Sequence, residues 1–305
     1  MDVVTVSTVL EKGRGISERT LRRALFSAVE SNHIELVLAL LKAGVNPSCH
    51  REKDGFTPLH IAASYHLPKA AEHLISFGGD PSKCDLLGRT PLWMAARLGA
   101  PVLLETLLKS PKALAALNKT DKSGWTPIMV SSSRSHGNVN IPKLLISKGA
   151  KLKTQDKDGK YVAHIAAAAG DHIVLAEILQ SAPELACLRD SRMNTPLHLA
   201  AERGQISCCN VLLKNEAAKK SIDVKNNKQR TALWLACERG DAQITALLLR
   251  NDANGNLKDK QGWNALRAAV YACVSIFLIL FMDSFLLFFQ TLANHIIFFF
   301  NNVGN

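Results

Sequence analysis

The chain has 305 residues, 47% of them hydrophobic and 21% charged, and carries a formal net charge of +11. That composition excludes an intrinsically disordered polymer, and the length points to several domains or to an array that grows by stacking small units. Its averages hide an asymmetry: all 37 Lys and Arg lie at or before Arg267, whereas 8 of the 11 Phe lie at or after Phe277, so a basic part of ordinary soluble composition precedes an apolar tail.

Residues 1–20 read as a leader. The first ten contain one acid, Asp2, no Lys or Arg, and no apolar run long enough for a secretory signal, so the chain is expected to begin in the cytosol. The seven cysteines, Cys49, Cys84, Cys187, Cys208, Cys209, Cys237 and Cys273, form no Cys-x-x-Cys pair and no evenly spaced framework. They read as free thiols packed as small apolar residues, with no zinc ligand set.

From there the chain repeats itself. Residues 56–63 read Phe-Thr-Pro-Leu-His-Ile-Ala-Ala; Thr-Pro-Leu returns at Thr90 and, followed by His, at Thr195, and looser copies start at Thr126, Tyr161, Thr231 and Asn264. The steps between starts are 33, 36, 35, 34, 36 and 33 residues. A Thr-Pro-Leu-His-x-Ala motif at this period resembles the ankyrin repeat. The resemblance implies an all-α ankyrin-repeat solenoid over 21–267, made of helix-turn-helix units joined by β-hairpin turns. About six full repeats would follow a degenerate first one, with the start of a seventh at Asn264.

A second regularity supports the frame. Seventeen residues separate the motif's Thr position from an apolar pair in the units starting at Arg23, Thr57, Thr90, Tyr161, Thr195 and Thr231, which predicts two helices of fixed length with a tight link near Gly99, Gly170, Gly204 or Gly240. The unit at Thr126 takes 19 residues to reach Leu145 and Ile146, so its inter-helix loop is expected to be enlarged by two.

The motif's own chemistry reads as structural. Thr caps the first helix, Pro at the next position sacrifices no helical hydrogen bond, Leu opens the buried face, and paired alanines let helices approach closely. In the family that this resembles, the motif His bonds locally across the repeat, and His60, His164 and His198 hold that position. Trp93, Met129, Trp234 and Arg267 fill it elsewhere, so no proton chemistry is maintained there. No phosphate loop, His-Glu-x-x-His, Gly-x-Ser-x-Gly or kinase motif occurs, and Ser135 beside His136 in a loop is poor geometry for a nucleophile and base. No catalytic, cofactor or metal site is expected.

Before each motif lies a turn rich in Asp, Gly, Asn and Lys, where Gly supplies backbone freedom and Asp satisfies turn amides. In an ankyrin stack these turns are the binding fingers. The resemblance places Phe56, Arg89, Trp125, Lys160, Arg192, Met193 and Arg230 on the finger side. It places Tyr65, Arg97, Arg203 and Arg239, with Arg134, at the exposed end of the first helix, facing the same groove. Aromatic and Arg side chains are common interface anchors, so the expected partner is a protein, and an acidic or phosphorylated segment suits the basic excess. Anionic membrane lipid is a second possible partner. Nucleic acid is disfavoured, because no recognition motif accompanies the charge.

The seventh motif copy, Asn-Ala-Leu-Arg-Ala-Ala-Val, runs into an apolar stretch at 268–289, expected to be a transmembrane helix, with 290–305 as a short tail. The window 270–289 is long enough to cross a bilayer. Its 13 Val, Ile, Leu and Phe favour insertion by about 6 kcal/mol against about 3 for Asp283. Lys258, Lys260 and Arg267 on one side, and no Lys or Arg on the other, would keep the repeats cytosolic. Two other readings stand beside it. Seventeen residues after Asn264 lie Phe281 and Met282, as in helices of a seventh repeat, and the abrupt change of composition also suits an exchanged C-terminus. The functional expectation is a non-catalytic scaffold or adaptor binding a protein segment in the concave groove at a cytosolic membrane face. The alternatives are an ankyrin-bearing piece of a channel or transport assembly, or a soluble adaptor.

Overall fold

The computed structural model describes residues 17–133 and 139–272. These divide between two compact units, Met1–Pro196 and Leu197–Asn305. Arg134, Ser135 and His136, most of the leader, and the apolar run and tail from residue 273 onward lie outside the described residues.

In the first unit, helix pairs follow one another: α1 (Glu18–Glu30) with α2 (Ile34–Lys42), α3 (Pro58–Ser64) with α4 (Pro68–Ser76), α5 (Pro91–Leu98) with α6 (Pro101–Leu108), α8 (Pro127–Ser132) with α9 (Asn140–Ser147), and α10 (Val162–Ala169) with α11 (His172–Ser181). A short helix α7 (Pro111–Ala115) follows α6, and a 3-10 turn (Pro183–Ala186) follows α11. First helices pack on first helices, α1 on α3, α3 on α5, α5 on α8 and α8 on α10; second helices pack in the same sequence. The second unit contains α12 (Pro196–Arg203, which opens at the unit boundary), α13 (Ile206–Leu213), α14 (Glu216–Lys220), α15 (Ala232–Arg239) and α16 (Ala242–Arg250), and residues 265–272 form a further helix, α17.

The local rules read from the motif operate. Thr90, Thr126 and Thr231 sit in extended backbone at the N-cap and accept from the amides of Trp93, Met129 and Trp234 at 3.1, 3.4 and 3.2 Å. Gly99, Gly170 and Gly240 end their helices in the left-handed conformation. Where the link lacks Gly, Asn32 and His66 adopt it instead, with φ of 55° and 57°. The paired alanines Ala62, Ala63, Ala95 and Ala96 in the first unit and Ala200 and Ala201 in the second are buried to within 2%. The first member of every apolar pair, Leu40, Leu74, Leu107, Leu145, Ile178, Leu212 and Leu248, has no exposed surface. The second member drifts outward, and Leu249 is 50% exposed.

Two expectations need correction. The fingers are not β-hairpins: no strand occurs among the described residues, because each finger is closed by one backbone bond across its ends, such as Asp85 N–H to Arg89 carbonyl (2.9 Å), and one turn bond, such as Gly88 N–H to Asp85 carbonyl (3.0 Å), too few to start a ladder. The units are not all plain helix pairs. Both 36-residue steps, from Thr90 and from Thr195, contain an extra short helix, α7 and α14, and the latter is capped by Asn215, whose Oδ1 accepts from the Ala217 and Ala218 amides. The expected membrane span at 268–289 lies outside the described residues except for 268–272, which belong to α17; among the described residues no helix is long and apolar enough to cross a membrane.

Candidate protein-docking face

From the second finger onward, one side chain holds each finger from inside. Asp85 Oδ1 accepts from the amides of Leu87 (2.9 Å) and Arg89 (2.8 Å). Asp121, Asp156 and Asp190 repeat this pattern, accepting from the residues two and four positions on. In the second unit Asn226 and Asp259 do the same. Neighbouring tips are also tied, amide to carbonyl: Leu86 to Asp54, Lys122 to Leu87, Lys157 to Ser123 and Ser191 to Asp158, and in the second unit Lys260 to Lys228. Gly55 shows how close this approach is. At φ +73° it sits where a Cβ would come within 2.8 Å of the Leu86 nitrogen, so both conformation and contact demand glycine.

The motif's fourth position ties each helix to the next finger. His60 Nδ1 accepts from the Thr57 amide (3.1 Å), which places the ring proton on Nε2, and Nε2 donates to the Arg89 carbonyl (2.8 Å). His164 repeats this from the Tyr161 amide (3.3 Å) to the Asn194 carbonyl (2.9 Å), and in the second unit His198 Nε2 lies 3.1 Å from the Arg230 carbonyl. Burial lowers the His60 pKa to about 4 and lowers that of His164, so both rings are neutral near neutral pH. Trp93 Nε1 donates to the Trp125 carbonyl (3.2 Å), and Trp234 Nε1 to the Trp263 carbonyl (3.1 Å). Trp therefore substitutes for His without losing the bond. The position maintains an N–H donor, a role hidden when His and Trp are compared only as acids and bases. Met129 is equally buried, at 1%, but has no donor to offer.

A second arrangement escaped the sequence reading, although a repeated spacing could have signalled it. Arg-Thr-x-x-Trp occurs at 89–93 and at 230–234. In the first unit Arg51 lies 5.7 Å from the ring centre of Phe26 and 5.4 Å from that of Phe56, Arg89 lies 5.7 Å from Phe56 and 5.6 Å from Trp93, and Arg97 lies 5.7 Å from Trp93. Arginines and rings alternate along the finger side, each contact worth roughly 0.5–1 kcal/mol where exposed. In the second unit Arg230 stacks 3.6 Å above Trp234.

The expected site residues fall into two groups. Phe56, Arg89, Trp125, Lys160 and Arg230 are partly buried and engaged internally. Arg89 pairs with Asp85 at 2.6 Å with 15% of its side chain exposed, Trp125 Nε1 donates to Asp156 Oδ2 (3.1 Å), Lys160 meets Asp158 (3.1 Å), and Arg230 meets Glu238 (3.1 Å). Tyr65, Arg97, Arg192 and Met193 stand exposed in the first unit, Tyr65 by 55%; Arg203 and Arg239 do so in the second, where Arg239 reaches the Glu202 carbonyl (3.3 Å). The finger tips add Leu86 and Leu87, exposed by 55% and 52%. The buried thiols have no part in this face: burial pushes Cys209 up to about 12 and raises Cys237.

Helix pairs tied finger to finger, with side chains projecting from rigid tips, define a repeat protein whose usable chemistry lies on its turns. Residues 5–85, 59–156, 133–223 and 215–285 match the family model described as ankyrin repeats in three copies, and the chain belongs to the ankyrin repeat family. It is similar to Rabankyrin-5 of Homo sapiens, 29% identical over 206 residues that make up 63% of this chain and 17% of that protein. It is also similar to the ARF GTPase-activating protein GIT1 of Homo sapiens, 30% identical over 148 residues (46% and 19%). A third relative is the ankyrin repeat protein nuc-2 of Neurospora crassa, 28% identical over 245 residues (69% and 22%). The chain spans about a fifth of the length of these curated relatives.

Proposed function

We propose that this chain is a non-catalytic scaffold that binds a segment of a partner protein along its finger tips and the exposed ends of its first helices. The observation that carries this reading is the exposed apolar pair Leu86 and Leu87 on a tip fixed by Asp85, with exposed Lys53 and Lys122 on the neighbouring tips. An apolar anchor between cations suits an acidic or phosphorylated segment with one apolar side chain. Stacked repeats commonly present such surfaces to partners. Proximity labelling in cells, comparing the natural chain with Leu86→Ser/Leu87→Ser/Arg192→Ala, tests it. Neighbours labelled by the natural chain should be lost from the variant at unchanged melting temperature; identical labelling overturns the reading.

We further propose that residues 270–289 hold this scaffold at the cytosolic face of a membrane, on the strength of their length and apolar composition. Carbonate extraction of a tagged full chain decides: retention in the membrane pellet is expected, and complete release removes the anchor. A second reading has its own support, since the family match continues to residue 285, where a seventh repeat would need its second helix. Release together with protease resistance of 264–285 would select it.

A further inference from the structure

The first unit has a cleft of about 330 Å³ between α1 and the first finger. Arg19, Arg22, Arg23, Arg51 and Lys53 line it, against two carboxylates, Glu30 and Glu52, with Phe26 beneath. The cations are unequally engaged. Arg51 is bound on both sides, to Glu30 at 2.7 Å and Asp54 at 2.6 Å, and Arg19 reaches Glu52 at 3.3 Å. Arg22 pairs with Glu18 on its own helix: its solvent-shielded Nε lies 3.6 Å from that carboxylate, an ion pair that makes no hydrogen bond among the described residues. Arg23 and Lys53 are exposed. Five cations face two carboxylates in the cleft, and Arg23 and Lys53 enter no ion pair among the described residues, which leaves an excess of positive charge for an anion to neutralise.

We propose that this cleft binds the phosphate of a phosphorylated side chain in the partner segment, a proposal that rests on reading the chain as a scaffold. A phosphomonoester brings close to two negative charges and three acceptor oxygens, enough for the Arg22 fork, Arg23 and Lys53 together; a single carboxylate could not satisfy all three. The size is at the small end of ligand pockets, fit for one protruding group. A nucleic-acid base finds no stacking face, because Phe26 is 7% exposed and Arg51 lies over it. A flat anionic bilayer is disfavoured by Glu52 at the rim, whose side chain is 81% exposed, whereas a side chain extended from a peptide can reach past it. Lys53 belongs to the first finger, so a segment crossing the tips would pass beside this cleft.

The test uses the full chain and immobilised degenerate peptide libraries with a fixed central phosphoserine, phosphothreonine or phosphotyrosine, each beside its unphosphorylated counterpart. At least one phosphorylated library should be preferred by about tenfold or more, equivalent to ~1.4 kcal/mol. Arg22→Gln should abolish the preference. Because Arg22 is partly buried, Arg23→Glu/Lys53→Glu supplies a second variant at exposed positions, and it should lose the preference at unchanged melting temperature. Equal recovery of both library forms, a preference that survives Arg23→Glu/Lys53→Glu, or tighter binding to phosphatidylcholine vesicles containing a phosphoinositide than to any peptide would each overturn the proposal. Equal recovery of both library forms, while the natural chain still labels neighbours that the Leu86 and Leu87 variant loses, would sink the cleft and leave the scaffold standing.

Discussion

The repeat that begins at Thr57 and the one that begins at Thr126 share a Thr cap, a following Pro and a buried fourth position, and differ in what that position can donate. His60 reaches back to the Thr57 amide and forward to the Arg89 carbonyl. Met129 fills the same kind of space and bonds to neither side through its side chain. The difference separates two jobs that one residue usually performs together: filling the interior between first helices, and fastening a helix to the next finger. Packing alone suffices for the first, but only an N–H in the right place performs the second.

Breaking both jobs at once should have the largest effect. Trp234→Ala removes a side chain that is 2% exposed together with its bond to the Trp263 carbonyl, and chemical denaturation should show a loss of about 3–5 kcal/mol. Acid offers a reversible break at His60. Its folded pKa of about 4 lies below the ordinary value of 6.5, so its stabilising contribution is complete above 6.5 and is lost as pH falls toward 4, by about 3 kcal/mol. Melts between pH 7 and 4 should record this slope in the natural chain, and a slope unchanged in His60→Met would contradict it. At neutral pH the same His60→Met copies the Met129 arrangement, leaving the Arg89 carbonyl without its ring donor at a cost of about 1–3 kcal/mol. The reverse change should be the smallest: Met129→His, able to donate forward as His60 does, should gain about 0.5–1.5 kcal/mol, and a neutral or negative result in urea titration would show that the cavity at Met129 does not admit the required ring orientation.

Much of this was legible in the sequence, for physical reasons that can be named. The 17-residue rule located Leu40, Leu74, Leu107, Ile178, Leu212 and Leu248 because a fixed pair of helices must return one residue to the same buried position in each repeat. Thr-Pro and the left-handed Gly99, Gly170 and Gly240 were readable because caps depend on local backbone geometry. What escaped was non-local. The exchange of Trp for His is invisible until the Trp125 and Trp263 carbonyls are seen opposite the indoles. Arg89 and Arg230, expected to face a partner, spend much of their charge on Asp85 and Glu238, which spacing along the chain does not reveal. The short α7 and α14 were signalled only by the 36-residue steps.

The bonds between finger tips carry one more consequence. In the first unit the amides of Leu86, Lys122, Lys157 and Ser191 are already given to the carbonyls of the preceding tips. A partner segment laid across them therefore finds no open row of main-chain donors and cannot join by adding a strand. Recognition has to proceed through side chains, so a partner's affinity should follow which residues it presents and in what order, and an extended backbone of arbitrary sequence should gain little from lying there.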